Sequence, residues 1–358
     1  MLSRLDKYIL KNFLATFAFL LLAFSAIAIV IDLTEKINDF LKKHVTLREI
    51  LTYFRDFLPY ILALLFPIFI FVAVIFFTSR LANRSEIIAM LGSGMSFKRF
   101  LRPYIIGAGI ISLVLLVANH YLIPLANQSR LKFEEKYLWD KNYASNDNFH
   151  IRVSPTEYIF MQTFNPESKL GYRFSYEKVK GTQLIEQISA DRCEYIDSIK
   201  MWRLSDVLII KNNGVKEHME RQQKIMKRFP FSPTDITEKR EGKQMMTTPV
   251  LNAFIDREVQ KGSENLNEYY IEKHRRTAAP FSSFVLSIIG ACMASRKVRG
   301  GSGIHLAVGL MLSAVYIFLM QFSTMFAMKG SLNPFLSVWL PNILFSFLAV
   351  YIYRKYSK

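Results

Sequence analysis

Apolar residues in this chain gather into long uncharged runs. They cover Phe13–Ile31, Phe57–Ser79, Pro103–Ser129 (interrupted by His120 alone), Thr277–Ser295, Gly300–Met328 and Gly330–Tyr353. Each is about 19 residues or longer, and a helix of that length crosses a hydrocarbon core of ~30 Å. The pattern predicts six helical spans in two blocks of three. An amphipathic turn, Leu5–Lys11, precedes the first span, and Pro59 and Pro67 predict a kink in the second.

Between the blocks the period changes from helical to two. Tyr158, Phe160 and Phe164 alternate with other residues over 157–164, and Trp202, Leu204, Leu208 and Ile210 do so over 201–211. Such alternation, rich in aromatic and β-branched residues, predicts half-buried strands. Asn165-Pro166, Lys180-Gly181 and Asn212-Asn213-Gly214 supply the turns. The expectation is an all-β sandwich or jelly roll, inserted into a six-helix membrane protein. Helical periodicity returns from Pro249, and from Asn265 it feeds into the fourth span.

The net charge of +17 suggests a nucleic-acid partner until the charges are sorted by segment. From Asn127 to Tyr270 there are 23 Lys and Arg against 21 Asp and Glu, so the insert is nearly neutral. The excess flanks the spans: Arg4, Lys7 and Lys11; Arg80, Arg84, Lys98, Arg99 and Arg102; Arg296, Lys297 and Arg299; Arg354, Lys355 and Lys358. Clusters at alternate span ends follow the positive-inside rule rather than a nucleic-acid footprint. Both termini and the 80–102 and 296–299 turns are expected in the cytoplasm, and the insert across the membrane, in the periplasm of a Gram-negative cell. Ala26-Ile27-Ala28 imitates a signal-peptide cleavage site, but the apolar run continues past it, so an uncleaved first helix is expected. The predicted division is residues 1–126 for the first three spans with a cytoplasmic coupling helix at about 81–99, 127–247 for the β domain, 248–276 for a helical connection and 277–358 for the last three spans.

Catalytic signatures are lacking. Gly92–Lys98 is too short for a nucleotide-binding loop, Gly300-Gly301-Ser302-Gly303-Ile304 lacks the last glycine of a nucleophile elbow, and the six histidines have no metal-ligand spacing. Cys193 and Cys292 fall in the insert and in a span, which excludes a disulfide framework. The expectation is a subunit that is not an enzyme and binds no cofactor of its own. Another type of ATPase-driven permease, or a membrane enzyme acting on lipid, is the alternative. On residues alone, the 80–102 turn reads either as a docking helix for a cytosolic motor or as a solvated connection.

That turn, Arg84-Ser85-Glu86-Ile87-Ile88-Ala89-Met90 followed by Ser93-Gly94-Met95-Ser96, resembles the coupling segment of the lipopolysaccharide export permeases, the LptF/LptG (YjgP/YjgQ) family. Leu5–Lys11, Trp202-Arg203-Leu204 and the three-plus-three layout with one large β insert are similar to that family over essentially the whole chain. The resemblance implies a paralogous or identical permease partner, a cytosolic LptB-like ATPase dimer that consumes the ATP, and LptC/LptA-like periplasmic bridge proteins that receive the lipopolysaccharide through the jelly roll. It places the motor contact on Arg84, Ser85, Glu86, Ile87, Ala89, Met90, Gly92 and Gly94. Some members carry a lysine in the outer half of the first span, where this chain is apolar over Ala26–Ile31 and has its nearest at Lys36. Phosphorylated headgroups need cations near the outer surface, and Lys36, Lys42, Lys43, Arg55, Lys273, Arg275 and Arg276 are the candidates. Candidates for an acyl-chain path are Phe66, Phe69, Tyr158, Phe160, Trp202 and Leu204.

Overall fold

Helix α1 (Arg4–Lys42) starts from a capping box: the Ser3 hydroxyl accepts from the Asp6 amide at 3.2 Å and the Asp6 carboxylate from the Ser3 amide at 2.9 Å. Its 39 residues rise ~58 Å, so Phe13–Ile31 is only its central part. A second capping box, Thr46 with Glu49, opens α2 (Leu47–Leu64), and α3 (Phe66–Asn83) follows. The single span expected over 57–79 is therefore two helices. Pro67 has no amide hydrogen and its ring excludes the Ala63 carbonyl, so the α2 ladder stops at Leu65. Because α2 carries Arg48, Glu49, Arg55 and Asp56, only α3 is apolar enough to cross a membrane.

The computed structural model describes residues 3–138, 149–165, 168–181, 183–212, 217–229, 231–233, 236, 242–260, 266–297 and 302–356. Pro166, Asn213, Gly214, Asn265, Arg299, Gly300, Gly301 and Lys358, used in the sequence reading, lie outside them. The remaining helices are α4 (Glu86–Gly92), α5 (Phe97–Val117), α6 (Ile123–Tyr137), α7 (Thr248–Gln260), α8 (Asn267–Ala294), α9 (Ser302–Met328) and α10 (Pro334–Tyr356), with a π-helical turn over Ala118–Leu122 joining α5 to α6. Among the described residues six stretches are long and apolar enough to cross a membrane: α1, α3, Phe97–Tyr137, α8, Gly303–Met328 and α10.

The chain divides into two compact units. The first holds Met1–Phe133, Gln244–Leu251 and Asn267–Lys358; the second holds Glu134–Lys243 and Asn252–Leu266. In the first unit α3 packs against α1, α8 and α9, and α8 packs against α3, α5, α9 and α10. Close approach depends on small residues. A Cβ on Gly107 would lie 2.6 Å from the Phe13 ring, and one on Gly309 would lie 2.3 Å from Ile75. Prolines inside helices leave carbonyls without donors, and neighbours supply them. Pro280 frees the Arg276 carbonyl, which accepts from the Asn119 side-chain amide in the π turn at 3.2 Å. Pro341 frees the Ser337 carbonyl, which accepts from the Ser323 hydroxyl at 2.6 Å.

The second unit carries one antiparallel sheet of six strands: β1 (Phe149–Ser154), β2 (Glu157–Asn165), β3 (Leu170–Lys180), β4 (Gln183–Ile196), β5 (Met201–Asn212) and β6 (Glu217–Lys227). The expected β insert is present as this sheet, but the described strands pair in simple chain order. That meander lacks the Greek-key crossover of a jelly roll. A crease runs across it. The ladders skip one row, Gln162–Arg173–Asp191–Asp206–Gln223, and Arg173 and Asp206 take left-handed φ of 51° and 57°. At that row the inward and outward positions exchange on β2, β4 and β5. Ile159 and Met161 face the core before it and Phe164 after it; Ile188 and Ala190 are followed by Cys193; Trp202 and Leu204 are followed by Val207. The uninterrupted alternation read from the sequence, with Leu208 and Ile210 on the face of Trp202, is thus corrected, because one left-handed residue resets the period. Phe229 and Phe231, just past β6, lie across this apolar face, where Phe231 stacks on Trp202 at 4.6 Å and its carbonyl accepts from the indole N–H at 3.2 Å.

Candidate functional site

The turn between α3 and α5 is built from two chain reversals around one short helix. Leu81–Asn83 complete α3, so the helix expected over 81–99 is confined to the seven residues Glu86–Gly92. Ser85 takes φ +60°, a costly conformation for a residue with a Cβ, and thereby breaks α4 from α3. Gly94 at φ +89° makes the second reversal, where no side chain fits without strain, and Ser96 caps α5 by accepting from the Arg99 amide.

Helix α4 has two faces. Ile87, 1% exposed, and Met90 enter the core cluster that includes Leu81 and Phe100, so these two are anchors rather than surface contacts. Ala89 and Gly92 lie outward, and with them Ile88, which is 62% exposed and was missed in the sequence reading. Its signal was present: 88 and 92 fall opposite 87 and 90 on a helix, and an apolar residue on the polar side of so short an element marks a covered surface. Glu86 opens the helix. Its carboxylate lies 3.9 Å from Arg84 and accepts from the Tyr8 hydroxyl at 3.4 Å, which ties α4 to the second turn of α1.

The candidate headgroup cations separate into distinct environments. Lys36 is held by Asp32 at 2.6 Å and by the Tyr53 hydroxyl at 2.5 Å, and Arg55 grips Asp56 with two bonds of 2.9 and 3.0 Å. Arg276 is buried: its guanidinium donates to Glu272 at 3.0 Å and to the Thr248 hydroxyl at 3.1 Å, while Arg275 donates to the same Glu272 at 2.5 Å. These four cations already have counter-charges, and Arg276 is removed from any aqueous face. Lys42 and Lys43 are exposed and Lys273 is half-buried. Asp32 with Lys36 and Glu272 with Arg276 stand at helical i, i+4 spacing, a signal present in the sequence and not used, whereas the Tyr53 and Thr248 contacts arise only where helices meet.

The acyl-path candidates do not share one lining. Phe66 and Phe69 are buried where α1 packs on α3, against Phe17 and Phe24 at ring distances of 6.1 and 4.7 Å. Trp202 and Leu204 are 0% exposed in the sheet's core. Tyr158, 37% exposed, and Phe160 point to the opposite face, near Arg152 and His150, because the core positions of β2 are the residues between them, Ile159 and Met161.

No curated protein sequence matches the chain. The family of the lipopolysaccharide export system permease LptF/LptG matches residues 7–355, which takes in both span blocks, the 84–94 turn and the β unit. Six apolar helices, one inserted antiparallel sheet and a match of that extent lead to one conclusion: the chain belongs to the LptF/LptG family of lipopolysaccharide export permeases.

Proposed function

We propose that this chain is one permease subunit of a lipopolysaccharide exporter, paired with a paralogous or identical subunit and driven by a separate LptB-like ATPase dimer. Both termini and the 84–94 turn lie in the cytoplasm and the β unit in the periplasm, a reading supported by the basic clusters at alternate span ends. The ATPase grips the outward face of α4, formed by Ile88, Ala89 and Gly92, with Glu86 meeting a cation of the motor. The β unit passes the glycolipid to bridge proteins of the LptC/LptA kind.

The observation that carries this reading is the division of α4 into an anchored and a presented face. A seven-residue helix has no stability of its own, so it exists only because the bundle holds Ile87 and Met90. Force applied to its outer face therefore reaches α3 directly and α1 through Tyr8. Such force is needed, since withdrawing a lipid with several acyl chains costs roughly 0.8 kcal/mol per CH₂. Glu86→Lys and Ile88→Glu test the assignment. Both are expected to leave the protein inserted while abolishing co-purification of the ATPase and export of the glycolipid, because a reversed charge at a desolvated contact leaves both partners unpaired. Retention of both activities by both variants would refute it.

A further inference from the structure

Helices α5, α8 and α10 leave between them an apolar trough that the export reading does not use. One part, about 510 Å³, is walled by Leu101 and Ile105 of α5, Phe284 and Ile288 of α8, and Ala349 and Val350 of α10. A second part shares Phe284, Val285 and Ser346 with the first and continues to Trp339. From Tyr353 to Trp339 the trough follows α10 for ~21 Å at the helical rise. Its volume is that of a small-ligand site.

The two ends differ. Toward Trp339 the lining is almost wholly apolar, with Phe281, Ile343 and Phe347. The other end is marked by Lys98 and Tyr353. Lys98 is exposed on the first turn of α5 and has no hydrogen bond, ion pair or ring contact among the described residues. The Tyr353 ring leans on Phe97, and its hydroxyl has no hydrogen-bond partner among them. An uncompensated ammonium and a free phenol at the mouth of an apolar trough match an amphiphile whose anionic head stays at the membrane surface while its tail runs inward.

We propose that this trough binds one anionic phospholipid, with its phosphate on Lys98 and Tyr353 and an acyl chain along α10. A phosphate takes a charge-assisted bond from the ammonium and a second bond from the phenol, and the chain covers apolar surface on Ile105, Phe284 and Val350. The leaflet rests on the topology proposed above, by which the N-terminal end of α5 is cytoplasmic; the chemistry of the site does not.

The test reconstitutes the full chain, in its assembled complex, in nanodiscs containing phosphatidylglycerol and phosphatidylcholine, and reads the lipid retained on transfer to detergent by native mass spectrometry. Identical leaflets make the result independent of orientation, so failure here is separable from failure of the export reading. The wild type should retain phosphatidylglycerol over phosphatidylcholine. Lys98→Ala should lower that retention roughly tenfold, the loss of one charge-assisted bond, whereas Lys98→Arg should keep it. Ala349→Phe, which fills the trough without altering charge, should also expel the lipid, and unchanged shielding of Cys292 from thiol reagents would show that each variant is folded. Equal retention by wild type and Lys98→Ala, no preference for phosphatidylglycerol, or a photo-crosslinker at Ile105 that captures a partner helix or glycolipid instead would each overturn the proposal.

Discussion

Arg276→Ala gives the sharpest view of what holds the helical unit together. Arg276 and Glu272 are both buried, one helical turn apart on α8, and the guanidinium also reaches Thr248 at the start of α7. Removing one partner of a buried pair costs about 3–5 kcal/mol, chiefly from the charge left behind. Glu272 keeps Arg275, whose side chain is 37% exposed, so the carboxylate is only partly abandoned. Loss of the Thr248 bond adds roughly 1 kcal/mol. The net expectation is a destabilisation of about 2–4 kcal/mol, seen as a fall in apparent Tm of roughly 5–10 °C. The assay is thiol-reactive dye uptake on heating in detergent, since Cys193 and Cys292 are both buried and unpaired. Arg275→Ala should shift the midpoint far less. The double change Glu272→Gln with Arg276→Met should recover most of the loss, because no buried charge remains. The reasoning fails if Arg276→Ala is as mild as Arg275→Ala, or if the double variant is less stable than the single one.

The β unit yields two more expectations. Burial pushes the Cys193 thiol up to about 12 from an ordinary value of 9.0, so the folded state favours the neutral form. That contribution to stability is complete below pH 9 and is lost as pH rises toward 12; alkaline denaturation should set in later in Cys193→Ala, and native Cys193 should resist alkylation at pH 8. Because Arg173 and Asp206 hold left-handed φ at the crease, Asp206→Gly should be neutral or stabilising by about 1 kcal/mol, whereas Asp206→Val should cost more than 1 kcal/mol. The pair is measured by denaturant unfolding, and a valine variant as stable as the glycine variant would remove the strain from the account.

Legibility followed the range of each signal. Long uncharged runs gave six spans because burial in hydrocarbon requires composition alone. Period two gave strands in the insert, but a single residue such as Asp206 resets which face is inward, and nothing in its side chain announces a left-handed φ. The break at Leu65 was readable in Pro67 and was read as a kink, since residue type alone does not separate Pro59, which stays inside α2, from Pro67, which follows its end. At the turn, a short helix was legible from the Arg84–Met90 segment. The partition of Ile87, Ile88 and Met90 between core and surface had a signal in their helical spacing, but with Ala89 and Leu91 also apolar the inward face was settled only by Leu81 and Phe100. Contacts between helices were least legible of all, since Tyr53 lies seventeen residues from Lys36 in sequence.

ATP-driven release of lipopolysaccharide from proteoliposomes tests the central claim most directly. This chain would be reconstituted with the proposed partner permease and ATPase, and glycolipid reaching a soluble bridge protein would be measured over time. Release that needs hydrolysable ATP, needs this chain and disappears with Glu86→Lys is the predicted result. Release that proceeds equally without this chain, or a complex that hydrolyses ATP with the Glu86→Lys subunit and still delivers glycolipid at the wild-type rate, would contradict it.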